Sequence, residues 1–194
     1  MKLTTVLFLS LLAGNVCFAQ STGTTPCPPE GQTPSDIGKR INVMKNRDIK
    51  QGAVNPNIVI DSILKGMPED TGRYKPTDFV TVTGFVLGAD GEGPESCNCF
   101  SKDSSTHNSV LYVGHSMLSG KDSVFAIEIT AKYKAAHPHF NADALFGNKI
   151  TISGYMMYNF DMKKYALNAC KKCRTTDRKT AWEICPVTDV TVQK

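Results

Sequence analysis

Two stretches far apart in this chain carry the same phrase. Residues 79–87, FVTVTGFVL, and residues 149–158, KITISGYMMY, are β-branched and aromatic runs, each with one glycine in its middle. Such runs form strands. A glycine inside a strand weakens it, and marks a bend, a bulge or a close approach of another backbone. Long strands that must bend at a corner are what closure of a small barrel demands. Three further strands are expected: residues 110–113, the alternating residues 124–130, and residues 180–192, where Pro186 marks a bulge or an edge. A short helix at residues 131–136 and a helical turn at 143–146 fall between the third strand and the fourth.

That order predicts a mostly β protein. Residues 76–194 should form a five-stranded, OB-like Greek-key barrel with short helices. An N-terminal helical segment, residues 36–75, should pack on it. Ser35 or Asp36 caps its helix, and Ile37, Ile41 and Met44 repeat at helical spacing on one face. Lys39, Arg40, Lys45 and Arg47 read as a solvated basic face. After the break at Asn55-Pro56-Asn57, residues 58–64 read as a helical turn. Residues 20–35 are rich in Thr, Pro and Gly, and read as a flexible linker in which Cys27 could staple the tail to the body.

The first nineteen residues read as a signal peptide. Lys2 supplies the positive end, residues 6–13 the apolar stretch, and Cys17-Phe18-Ala19 a cleavage site before Gln20. The apolar stretch is far shorter than the ~20 residues of a span, and no other segment reads as a membrane span. A lipoprotein acylated at Cys17 is the weaker reading, since Asn15 and Val16 fit that site poorly. The expected location is therefore the periplasm or the exterior.

Cleavage would remove one of the seven cysteines and leave Cys27, Cys97, Cys99, Cys170, Cys173 and Cys185. An even number in an oxidising compartment favours disulfides. The expected bridge joins Cys97 or Cys99 to Cys170 or Cys173. The competing pairing closes Cys170 on Cys173 and leaves Cys97 and Cys99 for Cys27 and Cys185, with Cys185 alternatively a buried free thiol. Two other chemistries use the same residues. Cys97, Cys99, Cys170 and Cys173 are a candidate four-thiolate zinc site. Cys170-Lys171-Lys172-Cys173 is a candidate redox pair whose lysines would lower a thiol pKa. Arg174 stands where covalent c-type haem would need His.

Other chemistry is thinly supplied. His137-Pro138-His139 places two imidazoles together, with Glu128 or Asp143 as guesses for a third metal ligand, but exposed loop histidines are the simpler expectation, as they are for His107 and His115. Trp182 reads as core rather than a stacking platform, and Glu183 as a structural polar anchor. Tyr112, Phe125, Tyr155 and Tyr158 could stack nucleic-acid bases or sugars on a barrel of this type, yet no arginines are interleaved with them. The net charge of +4, from 22 basic and 18 acidic residues, does not demand a nucleic-acid partner. The chain has no Ser/His/Asp elbow, phosphate loop or HExxH.

Three stretches carry a resemblance: Glu95-Ser96-Cys97-Asn98-Cys99, residues 145–154 (LFGNKITISG) and residues 178–188 (RKTAWEICPVT), joined by the helical phrase at 41–47 (INVMKNR). Over about residues 36–192 the chain resembles an exported bacterial OB-fold-like family of uncharacterised proteins. The family form has His where this chain has Cys185, and often an Asp and a His after the fourth strand, where Asn159, Asp161 and Met162 stand here. The resemblance implies a fold and export but no settled activity, and these departures weaken a His/Asp metal site. The reading is an exported, non-catalytic binding or interaction module of the cell envelope, of unknown ligand or protein partner and without a resident cofactor. The alternatives are a metal-dependent, nuclease-like hydrolase and a thiol-redox protein.

Overall fold

The structure is a computed structural model and describes residues 27–66, 70–169 and 177–194. The signal-peptide assignment, Cys170 and Cys173 lie outside the described residues. Five strands, β1 (Phe79–Gly91), β2 (Ser109–Gly114), β3 (Val124–Ile129), β4 (Lys149–Tyr158) and β5 (Trp182–Val192), form a closed barrel in the order β1-β2-β3-β5-β4. All neighbours are antiparallel except β3 and β5, which pair in parallel through Ala126↔Glu183 and Ile127↔Ile184. The expected mostly β, five-stranded barrel is the architecture found.

The two glycines act differently. A Cβ on Gly84 would lie 2.5 Å from Val113 Cγ1 and 2.8 Å from the Gly114 carbonyl oxygen. Gly84 is therefore needed for a close backbone approach, and the bulge in β1 falls later, between Val86 and Gly88. Gly154 is at a bulge: the β4–β5 register slips on both sides of it. A Cβ there would lie 2.5 Å from Ile184 Cγ2 and 2.7 Å from the Pro186 carbonyl oxygen.

Side chains alternate along each strand, and the alternation decides what each face meets. Phe125, Ile127 and Ile129 of β3, Met156 of β4 and Ile184 of β5 fill the barrel core. Glu128, Met157, Glu183 and Cys185 occupy the intervening positions and are equally buried, because a helix covers that outer face. Helix α1 (Asp36–Asn46) starts where Ser35 Oγ accepts from the Gly38 amide at 3.2 Å. It buries Gly38, Ile41, Asn42 and Lys45, and Ile41 packs with Met157, Cys185 and Met44. The buried stripe is thus rotated from the expected one. Ile37 is exposed, and Lys45, expected on a solvated face, is inside. Arg47, just beyond the helix, is also engaged: it donates to the Pro76 and Cys185 carbonyls and lies 4.1 Å over the Tyr155 ring.

Two short helices complete the body. Helix α2 (Ile60–Leu64) buries Ile60 and Ile63. Helix α3 (Ala131–Ala136) is capped by Thr130 and buries Tyr133. Trp182 is only 1% exposed, with Tyr74 and Tyr158 edge-on at 5.0 and 5.2 Å. Its indole N–H donates to the Asp70 carbonyl and carboxylate, tying residue 70 to the barrel.

Residues 27–35 correct the linker expectation. They are held against the 3-10 turn Ser96–Asn98 in the loop after β1. Cys27 is bridged to Cys99, the Gln32 amide donates to the Ser96 carbonyl at 2.8 Å, and Asn42 Nδ2 reaches the Glu30 carbonyl at 2.8 Å. Gly31, at φ +62, lies so close to Ser96 that a Cβ would be 2.1 Å from its carbonyl oxygen.

Candidate functional site: a buried acidic network under the first helix

Three of the motif stretches meet in one place. The helical phrase supplies Lys45, the Glu-Ser-Cys-Asn-Cys stretch supplies Glu95 and Cys97, and the stretch ending in β5 supplies Arg178, Glu183 and Cys185. The strand topology adds Glu92 after β1, Asn108 before β2 and Glu128 on β3. Lys45 Nζ lies 2.8 Å from Glu128 Oε1 and 3.2 Å from Glu95 Oε1. Asn108 Nδ2 donates to Glu128 at 2.7 Å, and its Oδ1 accepts from the Ala131 amide. Arg178 donates to Glu183 Oε2 at 2.7 Å and Asn159 to Glu183 Oε1 at 3.0 Å. Glu128 and Glu183 are each 1% exposed.

Burial disfavours the charged form of Lys45, but Glu128, Glu92, Glu95 and Glu183 around it outweigh that, and its pKa stands well above the ordinary lysine value. Glu92 takes the opposite part. Burial, reinforced by Glu95 and Glu183 against the opposing pull of Lys45, raises its pKa to about 7. Its Oε2 is buried without a hydrogen-bond partner among the described residues. Burial raises the Glu128 carboxyl well above its ordinary value too, against the opposing pull of Lys45. The network therefore holds a proton on Glu92 below about pH 7, while Lys45 stays charged.

Among the described residues, oxygens of Glu92, Glu95 and Glu128 lie within 4.8 Å of one another, as do ligand atoms of Glu128, Glu183 and Cys185. Oxygen-rich sets suit hard divalent ions. Here, however, the cation facing Glu95 and Glu128 is the chain's own Lys45 ammonium.

The cysteines do not follow the expected pairing. Cys99 is bonded to Cys27 across 72 residues, with Cα atoms 5.7 Å apart, and Cys97 and Cys185 are free and buried. The expected bridge from Cys97 or Cys99 to Cys170 or Cys173 is therefore not made. Bridged to Cys27, Cys99 offers no thiolate, so Cys97 and Cys99 are not a chelating thiolate pair. Burial pushes the Cys97 thiol up to about 12 and raises Cys185 as well. Cys97 Sγ donates to Glu95 Oε2 at 3.4 Å. Both are inert as nucleophiles at neutral pH.

The histidines stay outside the network. The His137 ring stacks on Tyr133 with 4.1 Å between centroids, and its Nδ1 contacts the Tyr133 carbonyl, while His139 is exposed. Neither belongs to a cluster of three ligand groups among the described residues. The aromatics do not form a platform: Phe125 and Tyr158 are core, and Tyr155 packs on Phe79. Tyr112 alone of the four lines a surface depression, with Asp90, Lys121 and Asp177.

A larger cavity, about 690 Å³, opens beside the disulfide. Its walls include Cys27, Cys97, Cys99, Asn46, Asp103 and Lys132. Lys132 donates to the Asn46 carbonyl at the end of α1. One side of this cavity thus backs onto Cys97, and through it onto Glu95 and Asn108.

Lys45, Glu92, Glu95, Asn108 and Arg178 are not among the site residues expected from sequence, and Glu128 enters there only as a guessed partner of the histidines. Lys45, Glu95 and Arg178 lie inside the motif stretches, so a signal for them exists. What the stretches lack is the topology that brings them together. No helix among the described residues is long and apolar enough to cross a membrane.

No family model matches this chain, and no curated protein matches it. Among solved structures it is similar to the aspartyl tRNA synthetase from Entamoeba histolytica, with 12% sequence identity and a TM-score of 0.35. That alignment covers 73% of this chain and 24% of the synthetase chain. This chain therefore spans about a quarter of that protein, and a likeness at this level is without functional content.

Proposed function

We propose that the chain is an exported, non-catalytic binding or interaction module of the cell envelope. One observation carries this reading: the charged side chains of Lys45, Glu128, Arg178 and Glu183 are engaged within the network and buried. Lys45 is matched to Glu95 and Glu128, and Arg178 and Asn159 are matched to Glu183. A catalytic group must reach the reacting atoms, and Glu128 and Glu183 at 1% exposure do not. The network instead fastens α1 and the loop after β1 to the barrel, a scaffold for the surface above it. The cavity beside the disulfide is the recognition surface in this reading. Export is supported by the apolar leader with its cleavage site and by the disulfide, which suits an oxidising compartment.

The rival is metal-dependent phosphodiester hydrolysis. Purified protein, incubated with bis-p-nitrophenyl phosphate and with a fluorescent single-stranded oligonucleotide in the presence of Mg²⁺, Mn²⁺ or Zn²⁺, should give no turnover above the metal blank. Metal-dependent cleavage that disappears in Glu128→Gln would replace the binding module with an enzyme.

A further inference from the structure

We propose that the Cys27–Cys99 disulfide is a reversible lock, reduced by a dithiol protein partner, whose opening frees residues 27–35 and the part of the loop at 99–107, beyond the anchored Glu95 and Cys97, and remodels the cavity beside it. The first support is access. Cys27 is exposed, and both half-cystines line the 690 Å³ cavity. Access to the sulfur is a condition of thiol–disulfide exchange.

The second support is the backbone at the bridge. Cys99 and Phe100 are consecutive non-glycine residues with φ of 53° and 54°. Left-handed backbone is unfavourable for a residue with a Cβ and persists only where the surroundings impose it. The Cys99 amide donates to the Ser96 carbonyl and the Phe100 amide to the Glu95 carbonyl. Cleaving the bridge removes the covalent part of that imposition. Phe100 itself is 54% exposed, an apolar side chain beside the sulfur that a partner would approach.

The third support is what the bridge restrains. Besides it, residues 27–32 are tied to the loop and to α1 by neutral hydrogen bonds: Gln32 to Ser96, Asn42 to Glu30 and Asn46 to Pro29. The bridge is the one covalent link among the described residues, and it closes 72 residues of chain. The barrel strands do not depend on it, since their ladders and core lie elsewhere. The two remaining described thiols do not compete. Cys97 is held by Glu95 and Asn108, and Cys185 is buried under α1.

The chemistry balances with a dithiol as reductant. One partner thiolate attacks Cys27 Sγ, the S–S bond breaks, and Cys99 leaves as a thiolate that takes up a proton. The second partner thiol then displaces Cys27, which is released as a thiol. Two electrons pass to the bridge, and the partner ends as a disulfide.

This inference takes its purpose from the binding reading above, but not its chemistry, so its test uses no ligand. The native full chain is treated with dithiothreitol, the thiols are alkylated with iodoacetamide, and labelled peptides and backbone hydrogen exchange are mapped by mass spectrometry. Cys27 and Cys99 should pass from unlabelled to fully labelled while Cys97 and Cys185 stay unlabelled. Exchange protection should fall in residues 27–35 and 99–107 and persist in the five strands. The double variant Cys27→Ser/Cys99→Ser should show that pattern without reductant. A bridge that resists until denaturant is added overturns the proposal. So does reduction without a change in exchange, or with loss of protection throughout the barrel, which would make the bridge a structural support. Failure of the binding reading would appear instead as metal-dependent turnover.

Discussion

Lys45→Met keeps most of the side chain's length and apolar stem and removes its charge, so it isolates the ammonium's contribution. At an effective dielectric of ~20, a unit charge pair at 2.8 Å, the Lys45–Glu128 separation, is attracted by about 6 kcal/mol. That attraction is not the expected loss, because the chain has an escape. With the ammonium gone, a carboxylate of the network can take up a proton. Protonating a glutamate whose unfolded pKa is 4.5 costs about 3 kcal/mol at pH 7, and burial already raises the Glu128 carboxyl well above that value in the native protein, so about 3 kcal/mol is the ceiling on the penalty from leaving Glu128 unpaired. The expected destabilisation is therefore between about 1 and 3 kcal/mol at pH 7, at or below the lower end of what breaking a buried ion pair does. It should shrink to about 1 kcal/mol or less near pH 4.5, where the escape is nearly free. Urea denaturation at several pH values, followed by the fluorescence of the single tryptophan, gives both numbers. Lys45→Met combined with Glu128→Gln should recover most of the loss, since the carbonyl oxygen of the new amide can still accept from Asn108. A loss at pH 7 below about 1 kcal/mol, or one that does not change with pH, would refute the reasoning.

Glu92 sets a second pH dependence with a definite sign. Its folded pKa of about 7 exceeds its ordinary 4.5, so the folded state binds the extra proton, and stability falls by about 3 kcal/mol as pH rises from about 4.5 through 7; Glu92→Gln should flatten that window in the same denaturation series. Trp182→Ala should lose about 3–5 kcal/mol, and native Trp182, packed by Tyr74 and Tyr158, should emit at short wavelength and shift to the red on unfolding. Gly154→Val should lose roughly 1–3 kcal/mol, read as a lower urea midpoint, because its Cβ would meet the Pro186 carbonyl and Ile184. His139→Ala, on an exposed residue outside every ligand cluster found among the described residues, should stay within about 0.5 kcal/mol of the parent.

The strands were legible because their signal is local. A run such as KITISGYMMY declares itself by β-branching, and its glycine by being out of place. The first helix was legible in extent but not in orientation. Hydropathy assigns lysine to water, and nothing near Lys45 in the chain reveals that carboxylates from β3 and from the loop after β1 await it. The Cys27–Cys99 bridge was within the competing pairing and the staple suggested for Cys27, but sequence could not choose it, for a related reason. The Pro/Thr-rich composition of residues 20–35 describes their lack of periodicity. What fixes residues 27–35 is backbone hydrogen bonding and a bridge to a loop some seventy residues on. Glu183 is buried and hydrogen-bonded to Arg178 and Asn159, partners that sequence did not name.

The placement of α1 also sets an order of events in folding. Besides the loop after β1, its contacts are with strands made much later: Arg47 donates to the Cys185 carbonyl 138 residues away, and Ile41 packs on Met157 and Cys185. The parallel seam between β3 and β5 likewise waits for β5. A chain that emerges N-terminus first therefore forms its first helix without a surface to dock on. Lys45 has no partner until the loop after β1 and β3 have been made, and α1 has no complete docking surface until β5 joins them.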